Sequence, residues 1–238
     1  MPRKLRPMLE AAVRARDAFG GLVMKASVRT DESAVIGAGL CLTIQELFAS
    51  VVCLMDNGLG SHTPAHARTM LEALADLRNL AKDPAYLEQM HFDDAKANLK
   101  MFAGYAAIDG MPLKAIDTLK EWAAKAQPVF DSGKARGFKP LQIAQKFKKA
   151  DLEQEYVSYG FLSGFAHNQL TAIISRHGKH HLKYLHEPPY ETMVGILGLA
   201  LSIAGKAIQT LPAFSDLQEA EVDRMIAEVE ADWKAVSA

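Results

Sequence analysis

The segment from Ala34 to Met55 is apolar over almost its whole length, and Met193 to Ala204 repeats that character over a shorter span. A helix without a polar face cannot lie on the surface of a helical protein and must be covered on every side. The first segment carries Gln45 and Glu46 at its middle, and the second is too short to span a bilayer and is followed closely by Lys206. Both features argue against a membrane span. Two central helices, with the rest of the chain wrapped around them, are therefore expected, and no membrane partner.

Start and stop signals divide the chain around these segments. Leu5, Leu9, Ala12, Phe19 and Val23 recur at helical spacing, giving a first helix over about 4–27, with Gly20-Gly21 a place where it can bend. Thr30 or Asp31 can cap the second helix, which ends at Asn57-Gly58. Thr63-Pro64, Asp83-Pro84 and Met111-Pro112 open the third, fourth and fifth, the fifth running to about Ala126. A connector over Asp131–Lys139 follows, and Pro140 starts a short sixth helix. Asp151 is expected to cap a seventh helix reaching about Asn168. Residues 177–189 are the least helical part, with Leu182, Tyr184 and Leu185 suited to a short extended segment. Pro188-Pro189 leads into the helix 190–211, and Ser215 with Gln218 resembles a capping box for an acidic last helix over 215–235. The expectation is an all-α bundle of eight or nine helices forming a single domain over 1–238, with helices 32–56, 151–168 and 190–211 at its centre.

Composition sets limits on function. Hydrophobic residues make up 49% and charged residues 23% of the chain, with a net charge of −1. That composition excludes a disordered chain and gives no global pull toward nucleic acid or membrane. Cys41 and Cys53 lie about 18 Å apart along one helix, beyond disulfide reach, and are expected as buried free thiols. Free thiols and the lack of a secretory pattern at the N-terminus suit a cytoplasmic protein.

Helix 151–168 carries the densest set of functional side chains. Tyr156, Gly160, Ser163 and His167 follow one another at spacings of four, three and four, close to one line, while Val157, Phe161 and Phe165 form the opposite side. Apolar residues on both sides point to burial. Buried hydroxyls and imidazoles then need partners, and Gly160 and Gly164 would let another backbone or a ligand come close. His167 is the residue here suited to proton transfer near neutral pH, and Ser163 is within reach of it.

On helix 64–82, Arg68, Glu72, Asp76 and Asn79 make a polar stripe opposite Met70, Leu74, Leu77 and Ala81. Taken alone, the stripe reads as a solvated face with a weak Arg68–Glu72 pair. The run Ala67-Arg68-Thr69-Met70-Leu71-Glu72-Ala73, then Asp76, then Lys82-Asp83-Pro84 resembles a bacterial helical family, domain-of-unknown-function family 5677. Tyr159 to His167, with its Ser-x-x-x-His, resembles that family's second marker, and the likeness extends over roughly residues 30–210. The resemblance implies an all-helical fold with an uncharacterised activity and points to Arg68, Glu72, Ser163 and His167; packing of the two helices, so that Arg68 and Glu72 meet Ser163 and His167 in one pocket, is the expectation that joins them. A looser similarity to helical ribonuclease domains, whose marker is an Arg four to six residues before a His, fits only Arg176 and His181.

Metal and RNA readings rest on less. Glu88 and His91 form one Glu-x-x-His, where a dimetal bundle needs two. His177, His180, His181 and His186 crowd one segment whose Arg and Lys neighbours favour an anion over a metal. Lys134, Arg136, Lys139, Lys146, Lys148 and Lys149 form a basic patch near Phe138 and Phe147, which suits RNA but equally a contact with the acidic last helix. The leading expectation is a binding or regulatory protein with a small polar pocket between helices 64–82 and 151–168, in which Arg68 holds an anionic group, Glu72 orients Arg68, Ser163 and His167 hydrogen-bond the ligand, and Tyr156 and Tyr159 add to the binding surface. The alternatives are a metal-independent ribonuclease-like or other hydrolytic enzyme using His167 with Ser163 and Arg68, or Arg176 with His181, and a metal-binding bundle. No cofactor is implied, and a homodimer through the apolar helices is open.

Overall fold

A computed structural model describes residues 5–167, 169–178, 183–184 and 188–237. The all-α class expected from the sequence is what it shows, with ten helices among the described residues rather than eight or nine. They are α1 (Arg6–Lys25), α2 (Glu32–Asp56), α3 (Thr63–Lys82), α4 (Tyr86–Ala106), α5 (Leu113–Ala135), α6 (Ile143–Lys149), α7 (Glu153–Ala166), α8 (Leu170–His177), α9 (Tyr190–Thr210) and α10 (Glu219–Ser237). The only extended pairing among the described residues is an isolated antiparallel bridge between Val28 and Ser215.

The chain forms two compact units, one of residues 1–82 with 146–238 and one of residues 83–145. In the larger unit, α2, α3 and α9 pack on one another and α1 packs on α2 and α10. The Asp31 carboxylate accepts the Ala34 N–H at 2.9 Å and starts α2, and Gly58 at φ +73° ends the turn after it. Cys41, Ile44, Phe48, Val51 and Met55 of α2 are fully or almost fully buried, as are Leu197, Ala200, Ala204 and Ile208 of α9. By length and composition both helices could cross a bilayer; here they lie against each other in the core. At Gly37 a Cβ would sit 2.5 Å from the Phe214 ring, so only glycine allows that ring to close over α2.

Several expectations are corrected. The third central helix is α3, which buries Ala67, Met70, Leu71, Leu74, Leu77 and Leu80, whereas α7 buries only Tyr159, Leu162 and Gly164. Val157 is 75% and Phe161 61% exposed, so the second apolar side of α7 faces solvent. Gly20-Gly21 leaves α1 continuous. The fifth helix runs through Pro128 to Ala135 and absorbs half the expected connector, because Gly137 at φ +86° supplies the break. Asp151 does not cap α7: its φ is +52° and its carboxylate pairs with Lys82. Ser215 donates to the Leu211 carbonyl and Gln218 to the Asp216 carbonyl, so no reciprocal capping box forms. Cys53 is exposed, while Cys41 is buried with its thiol pushed up to about 12 by burial. Tyr184 lies in a turn, and Leu182 and Leu185 lie outside the described residues.

The smaller unit is built on α4 packed against α5. Phe92 anchors it, stacked on Phe130 with centroids 5.3 Å apart and edge-on to Phe138 at 6.0 Å. Gly133 is required there, since a Cβ would come within 2.5 Å of the Phe92 ring.

Candidate functional site

The polar stripe of α3 turns away from the three-helix core and meets α7 rather than open water. Helical spacing puts Arg68, Glu72 and Asp76 one above another, and α7 presents Tyr159 and Ser163 at the same interval. Arg68 Nε donates to Ser163 Oγ at 3.2 Å, and one terminal nitrogen donates to the Tyr159 hydroxyl at 2.7 Å. The same nitrogen lies 3.0 Å from Glu72 Oε1, and the other donates to Oε2 at 3.3 Å, so the ion pair is two-pronged. The Tyr159 hydroxyl donates to Glu72 Oε1 at 2.9 Å, and Ser163 donates to the Tyr159 carbonyl at 2.8 Å. Each hydroxyl thus both accepts and donates within the cluster.

Burial makes these bonds count. The Arg68 side chain keeps 19% of its exposure and Glu72 33%, well below an ordinary surface pair. The guanidinium also lies over the Tyr159 ring, 5.0 Å from its centroid. Burial and the Glu72 carboxylate together push the Tyr159 phenol above its ordinary value. Tyr156, the more exposed tyrosine, stacks on Tyr159 at 5.9 Å, and buried Phe147 closes the aromatic group from below.

The stripe continues beyond the candidate residues. Asp76 pairs with Lys146 at 3.0 Å, and Asn79, buried, donates to the Lys146 carbonyl at 3.0 Å. Lys146 was expected in a basic patch, and no spacing rule connects it to residues 70 positions earlier. Of the other patch cations, Arg136 pairs with Glu88. The acidic helix α10 meets α1 instead, through an Arg14–Asp232 pair with both bonds at 2.9 Å.

His167 stands apart. It is exposed at the C-terminal end of α7, where its backbone N–H donates to the Ser163 carbonyl, and among the described residues its ring joins no hydrogen bond of the cluster. Ser163, with its proton directed at a carbonyl and its oxygen accepting from Arg68, is not set up as a nucleophile beside a base. Gly160 is exposed with nothing near its absent Cβ, and Gly164 is approached by the Gln169 side chain of its own turn rather than by another helix. Arg176 is a strut: it donates to the Ser61 and Phe165 carbonyls, both at 3.2 Å, and ties α8 to the start of α3 and the end of α7. His180, His181 and His186 lie outside the described residues. Glu88 is committed to Arg136, and among the described residues no group of three His, Cys, Asp or Glu side chains is placed to hold a metal.

The sequence pattern of a family of unknown function, DUF5677, matches residues 34–183, more than half of the chain. The chain belongs to the DUF5677 family. The matched span begins with α2 and holds all of α3 and α7, so Arg68, Glu72, Tyr159 and Ser163 lie inside the DUF5677 region, whereas α1, α9 and α10, which complete the core, lie outside it. No curated protein and no solved structure is detectably similar to this DUF5677 chain.

Proposed function

We propose that this DUF5677 protein is a binding or regulatory protein that takes a small anionic ligand at the Arg68–Glu72–Tyr159–Ser163 cluster. The observation that carries the reading is the hydrogen-bond accounting of Arg68. A guanidinium has five N–H donors. Here Nε serves Ser163, one terminal nitrogen serves Tyr159 and Glu72, and the other spends one hydrogen on Glu72. At least one N–H is left without a hydrogen-bond partner among the described residues, beside a carboxylate that is a third exposed. A carboxylate or phosphate can take that donor and displace part of the Glu72 contact, with the exposed Tyr156 face at hand for an aromatic or apolar group.

The test is thermal stabilisation of the full chain by inorganic phosphate, pyrophosphate and adenosine monophosphate against chloride of equal ionic strength. At least one should raise Tm saturably, by mass action on the folded state. Arg68→Met should abolish the shift, and Glu72→Gln, which removes the internal competitor, should strengthen it. No stabilisation by any of the three, or a shift that survives in Arg68→Met, rejects the site.

A further inference from the structure

The smaller unit carries a second surface feature, independent of the Arg68 cluster. Along one side of the α4–α5 pair runs a groove in two adjoining stretches of ≈ 460 and ≈ 340 Å³ that share His91 and Val129. Its apolar lining is Ala95, Phe102, Trp122, Ala126 and Val129. Trp122 touches the buried Phe102 with ring centroids 5.8 Å apart, yet stays 48% exposed. Of the 23 residues of α5 only Gly133 is buried. Two helices alone cannot cover their apolar faces, and an exposed aromatic groove of this kind marks an interaction surface.

The walls differ in charge. The α4 wall carries Glu88 and Asp94 and the α5 wall carries Lys125 and Arg136. Glu88 and Arg136 pair with each other at one end. Farther along, Asp94 accepts from the Asn98 side chain of its own helix and is exposed, and Lys125 is exposed. One acidic and one basic wall are what a self-complementary face needs. A two-fold axis parallel to the helices lays α4 of one chain over α5 of the other, so that Asp94 faces the partner copy's basic wall and Lys125 its acidic wall. Helices of 21 and 23 residues are each about 30 Å long, enough for a face of standard dimer size once two lie side by side.

We infer that the α4–α5 groove is the dimer interface of this protein, taking the same groove of a second copy to form a four-helix bundle with Trp122 at its centre. The experiment is sedimentation equilibrium of the full chain at micromolar to near-millimolar concentration. The wild type should be a dimer, and Trp122→Glu and Val129→Lys should each be monomers with unchanged helical circular dichroism. Asp94→Lys and Lys125→Glu should each weaken the dimer roughly tenfold, since each substitution turns two attractive contacts into repulsive ones. The double variant Asp94→Lys with Lys125→Glu should return to within a few-fold of the wild type. A wild type that stays monomeric, a dimer untouched by Trp122→Glu and Val129→Lys, or a double variant as weak as the singles overturns the inference.

Discussion

Replacing Arg68 with Met keeps most of the stem packing against α7 and removes only the charge and its donors. The substitution deletes one bond to Ser163, one to Tyr159 and a two-pronged pair with Glu72. Hydrogen bonds to charged groups are worth about 1.5–3 kcal/mol each, and breaking one side of a fully buried ion pair costs about 3–5 kcal/mol. Two facts pull the figure down. Glu72 is a third exposed and can rehydrate, and Ser163 and Tyr159 keep their bonds to the Tyr159 carbonyl and to Glu72. The expected loss is about 2–3 kcal/mol, or a fall in Tm of about 5–10 °C for a chain of this size. Urea unfolding followed by circular dichroism measures it. A double-mutant cycle with Glu72→Gln should give a coupling of about 1–2 kcal/mol, well above the few tenths of an exposed i,i+4 pair. A loss below about 0.5 kcal/mol with no coupling would mean that the pair behaves as a solvated surface contact, and the argument from burial would be wrong.

Three further outcomes follow from single sites. Tyr159 holds its proton more tightly folded than unfolded, so wild-type stability should fall as pH rises above about 10, where the unfolded phenol ionises first; Tyr159→Phe should flatten that fall, read from unfolding midpoints across alkaline pH. Gly37→Ala puts a methyl 2.5 Å from the fully enclosed Phe214 ring and should cost about 1–3 kcal/mol by denaturant unfolding, against a few tenths of gain if helix propensity alone mattered. Thiol titration of the native protein should count one fast cysteine, Cys53; Cys41, buried with its thiol raised to about 12, should react only on unfolding, and Cys53→Ser should leave no fast phase.

The helices were legible because their signals are local. Asp31 does cap α2, Thr63-Pro64 does open α3, and the apolar stretches do form the core pair α2 and α9. The failures occur where a local signal met a longer-range partner. Asp151 had the right chemistry to cap α7, but Lys82 took its carboxylate. Ser215 had the right spacing from Gln218, but the Leu211 carbonyl took its proton. The fifth helix outruns its expected end near Ala126, because the break comes from Gly137.

The candidate site follows the same division. That Arg68 and Glu72 share a face is arithmetic on 3.6 residues per turn, and so is the line from Tyr159 to Ser163. What periodicity could not decide was which way the stripe faces. A polar stripe is solvated by default, and this one is not, because α7 lies across it and brings two hydroxyls at the same spacing. The consequence runs in the other direction too. By giving its hydroxyl-bearing side to Arg68, α7 must leave Val157 and Phe161 in water, although the sequence pattern reads as a helix buried all round. The exposed apolar pair and the paired guanidinium are thus two results of one orientation of α7, which satisfies the polar groups and leaves part of the apolar surface unburied.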